Sequence, residues 1–193
     1  MTPEKEQLRE ILNTVYIFVV GDENTGKTCL IRAFTNVITK DAFLPSFDYV
    51  YTYTHWMMSG SLELRIVEMR SKKDLSLKEV RSLCRQLKHV FLFVSSVDKI
   101  TSGYRLVRTW VASVMEAMGP FVPSALVCNK IDIRSHPFFS NRMHLLLDDI
   151  DVNIIRQLCG ISSSFECSAL TGETVDQVFI GAAMLANKIV PYG

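Results

Sequence analysis

With 193 residues, 48% of them hydrophobic, the chain can fill a core of its own, which excludes a disordered polypeptide. Its 21 Lys+Arg against 20 Asp+Glu leave a formal net charge of +1, which excludes a strongly basic nucleic-acid binder. The five cysteines, Cys29, Cys84, Cys128, Cys159 and Cys167, form no C-x-x-C pair, so reduced thiols in a cytosolic protein are expected, without a disulfide framework or thiolate metal site.

The chain opens on "MTPEKEQLRE", which is charged and lacks a signal-peptide core. "VYIFVVG" (15–21) reads as a buried parallel strand stopped by glycine. "KTCLIRAFTNVI" follows with Leu30, Ile31, Phe34 and Ile38 at helical spacing. "FDYVYTYTHWMM" (47–58), the turn "SGS" (59–61) and "LELRIVEM" (62–69) predict a β-hairpin. Then come an amphipathic helix in "SLKEVRSLCRQL", a buried strand in "HVFLFVSSV" (89–97) and a helix over 102–118 that ends at Gly119-Pro120. "SALVCNKID" (124–132) is a strand with a polar end, and 135–151 reads as an insertion. "VNIIRQLCG" predicts a helix closed by Gly160, "SSFECSA" a short strand and "TVDQVFIGAAMLANKIV" a final helix. No apolar run is long enough to span a bilayer, and "ANKIVPYG" carries neither a prenylation box nor a basic cluster, so no intrinsic membrane anchor is expected. The alternation predicts one α/β domain over 1–193: a mostly parallel six-stranded sheet with an antiparallel hairpin at its edge and helices on both faces.

"GDENTGKTCL" (21–30) fits G-x-x-x-x-G-K-[ST] between a strand and a helix, the context that makes the match meaningful. Backbone N–H groups of the loop and helix start can face phosphate oxygens, and Gly21 and Gly26 let the backbone come close. Lys27 suits the β- and γ-phosphates, and the Thr28 hydroxyl suits Mg²⁺. Asp22 and Glu23 are two acids beside a polyanion, but a cradle of backbone groups lets them point outward. "NKID" (129–132) ends a strand and suits guanine: Asp132 can accept from the ring N–H and the exocyclic amine, the Lys130 stem can lie over the base, and Asn129 can brace the phosphate loop. In "ECSAL" (166–170) the Ala169 N–H can meet the guanine carbonyl. All three motifs lie at the C-terminal edge of predicted strands, where open α/β sheets bind ligands.

With these motifs the chain resembles the Ras superfamily of small GTPases, P-loop proteins, from about Val15 to Ile189. "TGKTCLIRAFT", "FLPSFDYVY" and "FECSALTGETVDQVF" are most similar to the Rho branch, whose extra helical insert corresponds to 135–151. The resemblance implies GTP or GDP with Mg²⁺. It implies nucleotide contacts from Glu23, Asn24, Thr25, Gly26, Lys27, Thr28, Cys29, Phe43, Asn129, Lys130, Asp132, Ser168, Ala169 and Leu170, and metal ligation by Thr28 and Ser46. Protein effectors or regulators are expected on residues 39–58 and 68–80. The protein is expected to be cytoplasmic, reaching membranes only through a partner.

The sequence departs from the family in the second switch, where D-x-x-G-Q is replaced by "EMRSK". Glu68 keeps the charge of the family aspartate with one more methylene. Ser71 stands for a glycine whose N–H meets the γ-phosphate. Lys72 replaces the glutamine that orients the attacking water, and with no acceptor it cannot do so, so no catalytic residue is assigned. Glu23 stands where a small residue admits an arginine finger. In the first switch Ser46 replaces threonine and Phe43 replaces tyrosine, and Thr39 falls where a phenylalanine commonly edges the guanine. The expected protein binds GTP with weak or absent hydrolysis. A nucleotide-free or GDP-only pseudo-GTPase is the alternative, a conventional cycling GTPase is less favoured, and a P-loop ATPase or nucleoside kinase would leave "NKID" and "CSAL" as coincidences. The aromatics Phe47, Tyr49, Tyr51, Tyr53 and Trp56 either form an effector edge or cover the core. Phe138, Phe139 and Met143 are expected to pack onto the domain, with a partner surface as the alternative, and "RSKKD" (70–74) to be solvated, with steering of an acidic partner as the alternative.

Overall fold

The apolar run Thr14–Val20 forms the central strand β1, and its side chains alternate between two cores. Tyr16, Phe18 and Val20 enter one cluster, and Val15, Ile17 and Val19 enter the other. Burial on both faces explains why no polar residue interrupts the run after Thr14. The computed structural model describes residues 13–188 apart from 42, 48, 58, 59 and 77. The charged N-terminal stretch, part of the hairpin turn, the last five residues and the Trp56 side chain therefore lie outside the described set.

The sheet has the order β2-β3-β4-β1-β5-β6-β7, from β2 (Ile38–Thr39), β3 (Val50–Met57), β4 (Gly60–Glu68), β5 (His89–Ser96), β6 (Ser124–Asn129) and β7 (Ser163–Glu166). Pairing is parallel from β4 through β7 and antiparallel at β2-β3 and β3-β4. The seventh strand, β2, was not expected. Helix α1 (Lys27–Phe34) ends at Phe34, because Thr35 is extended and its N–H closes on Ile31 O at 2.8 Å. Ile38, which the periodicity placed on that helix, instead pairs with Tyr51 and is half exposed. A two-residue edge strand has too short a pattern to be distinguished from the end of a helix. The hairpin turn is also tighter than expected, since Gly60 and Ser61 already pair with Met57 and Trp56.

Helices α2 (Lys78–Gln86), α3 (Ile100–Leu106), α4 (Ala112–Met118) and α5 (Asp149–Cys159) go with one core, and α1 with α6 (Val175–Lys188) goes with the other. The helix predicted over 102–118 begins two residues earlier and contains a π-helical turn, Val107–Val111, between α3 and α4. The insertion follows the 3-10 turn Ile131–Ser135 and contains two more, Pro137–Phe139 and Met143–Leu145. Its last residues belong to α5, whose N-cap Asp148 accepts from the Ile150 and Asp151 N–H groups, both at 2.9 Å. Arg134 ties this region to β7 by a bidentate pair with Glu166 at 2.6 and 2.7 Å, and that bond raises the Arg134 pKa. Phe138 and Met143 correct another expectation: both are exposed, and Phe138 is flanked by the Arg142 guanidinium, 4.2 Å from its ring centre, and by the Phe139 ring edge-on at 5.0 Å. Of the hairpin aromatics, Tyr51 is buried and Tyr53 meets Phe34 at 4.3 Å between ring centres, so these two serve the core; Tyr49 is exposed.

Candidate functional site

The C-terminal ends of β1, β4, β5, β6 and β7 lie on one edge of the sheet, and every motif singled out above is there. The phosphate-loop turn requires glycine at Gly26: its φ is 89°, and a Cβ there would meet Asn129 Nδ2 at 2.5 Å. At Gly21 a Cβ would collide with the Val94 carbonyl oxygen. Lys27 is buried, and its ammonium donates to the Gly21 and Asp22 carbonyls at 2.8 Å each. Burial lowers the Lys27 pKa, and the nearby Glu68, Asp22 and Glu23 oppose that shift. The two loop acids separate as their positions demand. Asp22 turns to α3, with Arg105 Nε 2.7 Å away and Thr109 Oγ1 donating at 3.3 Å, whereas Glu23 is exposed.

Asn129 is the hub of the base side. Its Nδ2 donates to Thr25 O at 3.0 Å, and its Oδ1 accepts from the Ala169 N–H at 3.0 Å and from the Cys167 thiol. Burial pushes that thiol up to about 12, so it stays protonated at neutral pH. Asp132 accepts from Ser168 Oγ at 2.5 Å. Lys130 takes a left-handed backbone, φ 69°, which is unfavourable for a lysine. In return its ammonium donates to Asn24 O at 2.7 Å and to Asp98 Oδ2 at 3.1 Å. The motifs of 21–28, 129–132 and 166–170 are thus physically joined. Among the other candidates, Cys29 on α1 and Leu170 are exposed.

Asp98 was missed in the sequence. Burial would raise its pKa, but hydrogen bonds from Ser96 and Lys130 outweigh that and hold it low. Its signal was available, because "SSVDK" puts polar residues straight after the apolar run of β5.

The switch side is arranged differently. Thr28 Oγ1 donates to Glu68 Oε1 at 2.6 Å, so the expected metal ligand and the expected acid do meet. Glu68 Oε2 is buried and accepts no hydrogen bond, and Arg70 Nη2 lies 3.5 Å from it. A hydroxyl and a carboxylate with one buried oxygen left over suit a hard, oxygen-seeking divalent cation, so Thr28 and Glu68 fit magnesium. The second proposed ligand does not join them: Ser46 Oγ donates to Glu79 Oε1 at 2.8 Å, on α2. The Ser71 N–H, expected to face phosphate, donates to Asp74 Oδ2 at 3.0 Å, as does the Arg70 N–H at 3.1 Å. Lys72 is exposed on the 3-10 turn Lys72–Ser76, and Phe43 is half exposed with its N–H on Asp41 Oδ1 at 2.8 Å. Thr39 lies in a polar cluster with Thr52 and Arg65, at 2.7 and 3.0 Å.

Residues 16–188 match the model of the Ras family. The chain belongs to the Ras family. Within that family it is Rho-like. It is 26% identical to GTP-binding protein rho2 of Schizosaccharomyces pombe, over 90% of this chain and 87% of that protein. It is 27% identical to GTP-binding protein rho1 of the same yeast, over 89% and 87%, and 25% identical to GTP-binding protein RHO1 of Candida albicans, over 90% and 88%. Residues 68–72, where the sequence leads us to expect the second switch, read Glu, Met, Arg, Ser, Lys. Among the described residues no helix is long and apolar enough to cross a membrane.

Proposed function

We propose that the protein binds GTP or GDP with magnesium, hydrolyses GTP weakly or not at all, and works as a signalling or scaffold module through its switch surface. The observation that carries nucleotide binding is the Asn129 hub, which ties the phosphate loop to the loop of Ala169. In this reading the loop amides and Lys27 neutralise phosphate charge, Asp132 selects guanine, and Lys130 lies against the base. Thr28 and Glu68 supply oxygen ligands for magnesium, which screens the β- and γ-phosphate charge when bound. The weak-hydrolysis reading rests on Lys72, which has no acceptor for a water, and on the exposed Glu23 beside the phosphate loop. Effectors or regulators dock on residues 39–58 and 68–80, in a cytoplasmic protein that a partner brings to membranes.

A single-turnover assay on GTP-loaded protein tests the hydrolysis reading: persistence of GTP over many turnover times of an ordinary Rho protein is expected, and cleavage at the ordinary rate sinks it. A second reading, the nucleotide-free or GDP-only interaction domain, is favoured by one feature. The Ala169 and Ser71 N–H groups and the Lys27 ammonium all have protein acceptors already. Chromatography of nucleotide released from the purified, denatured protein separates the two. Stoichiometric GTP is expected, and an empty protein or GDP alone would favour the second reading.

A further inference from the structure

Arg70 stands where magnesium chemistry would otherwise be undisturbed. Glu68 is 8% exposed, its Oε1 is held by Thr28, and the neighbour of its remaining oxygen is the Arg70 guanidinium at 3.5 Å. Three further contacts keep Arg70 there. Its backbone N–H and that of Ser71 are both held by Asp74, which fixes the turn leaving β4. Its guanidinium also lies 5.3 Å from the centre of the Tyr49 ring, within cation–π range. A buried carboxylate thus has two claimants, a side-chain cation built into the second switch and a divalent ion in solution.

We infer that Arg70 is a built-in counter-cation that competes with magnesium for Glu68. This rests on the proposed binding of nucleotide with magnesium. Whenever the guanidinium occupies Glu68, magnesium must displace it, so the magnesium needed for nucleotide retention is raised. Because Arg70 is carried by the second switch and leans on Tyr49 near the first, its displacement also couples the ion to both switches. The side chain is 63% exposed, so it can swing away without opening the core.

The test titrates free magnesium against retention of a fluorescent guanine nucleotide in the full chain, for wild type, Arg70→Ala, Arg70→Lys and Glu68→Gln. Arg70→Ala should lower the half-saturating magnesium concentration roughly tenfold, within the usual range of such couplings. Arg70→Lys should fall between, since it keeps the charge but loses the planar fork. On the Glu68→Gln background, Arg70→Ala should shift the midpoint by less than about twofold, because the shared partner is gone. Thermal unfolding of each variant checks that folding is unchanged. Equal midpoints in wild type and Arg70→Ala, with nucleotide bound in both, overturn this inference alone. The same shift with or without Glu68 also overturns it. Absence of nucleotide from wild type and every variant at saturating magnesium overturns the proposed function and this inference together.

Discussion

The two halves of the candidate site are built on the same sheet edge but wired in opposite ways. On the base side, side chains from separate strand ends bind each other's loops: Asn129 reaches Thr25 and Ala169, and Lys130 reaches Asn24 and Asp98. On the switch side, several contacts are short-range, as where Asp74 binds the Arg70 and Ser71 N–H groups four and three residues away. Long-range bonds between buried strand ends are held by the whole core, whereas a short-range cap can open alone. The difference teaches that the nucleotide cradle and the switch can change independently. In this chain Ser71 and Lys72 fall on the locally held turn, whereas Glu23 lies on the braced phosphate loop and Glu68 is held by Thr28.

Substitutions on the two sides should therefore behave unequally. The largest effect is expected from Asn129→Ala, which strands the Ala169 N–H and the Thr25 carbonyl in a buried place. At about 1–3 kcal/mol for each stranded group, unfolding in urea should show a loss of about 2–6 kcal/mol together with loss of bound nucleotide. A loss below about 1 kcal/mol would mean the hub is not structural. Next, Lys72→Gln combined with Glu23→Gly should raise single-turnover GTP hydrolysis by roughly 10²-fold, with little change in stability, because both residues are exposed. No gain would show that the missing water-positioning group does not limit the rate.

A smaller effect is expected from Asp74→Ala. Hydrogen exchange at Arg70 and Ser71 should quicken while global stability falls by about 1 kcal/mol, the usual worth of such a cap. Equal loss of protection on β1 would contradict a locally held switch. The smallest effect concerns the far end of the sheet, where His89 begins β5 beside a cavity of about 410 Å³ lined by Cys84, Met118 and Phe121, among others. Burial lowers the His89 pKa below its ordinary 6.5, so the unfolded chain binds the proton more readily. Stability should fall as pH drops below about 6.5, down to the folded pKa, and His89→Gln should flatten that slope. An unchanged slope would place the titration elsewhere.

Some of this was legible because it depends on local pattern. The apolar run of 15–20 and the strand–loop–helix around Lys27 identify a phosphate loop, and "NKID" with "CSAL" identify its companions. Residue type alone also shows what Lys72 cannot do, since an ammonium accepts no hydrogen bond. Other features were not legible. Ile38 is compatible with a helix face or a strand edge, and Thr35 decided between them by ending α1. The π-helical turn at Val107–Val111 has no distinctive sequence pattern, and Phe138 reads as a core residue until the 3-10 turns leave it outside.

The sequence by itself determined the fold class, the order of the motifs and the presence at position 72 of a side chain with no hydrogen-bond acceptor, because each follows from residue type and short spacing. Only the tertiary structure decided who holds whom. Asp98 meets Lys130 across 32 positions, Glu68 meets Thr28 across 40, and Asn129 meets Thr25 across 104. Those partnerships arise when β1, β4, β5 and β6 are laid side by side and their ends converge, and no local periodicity carries that information.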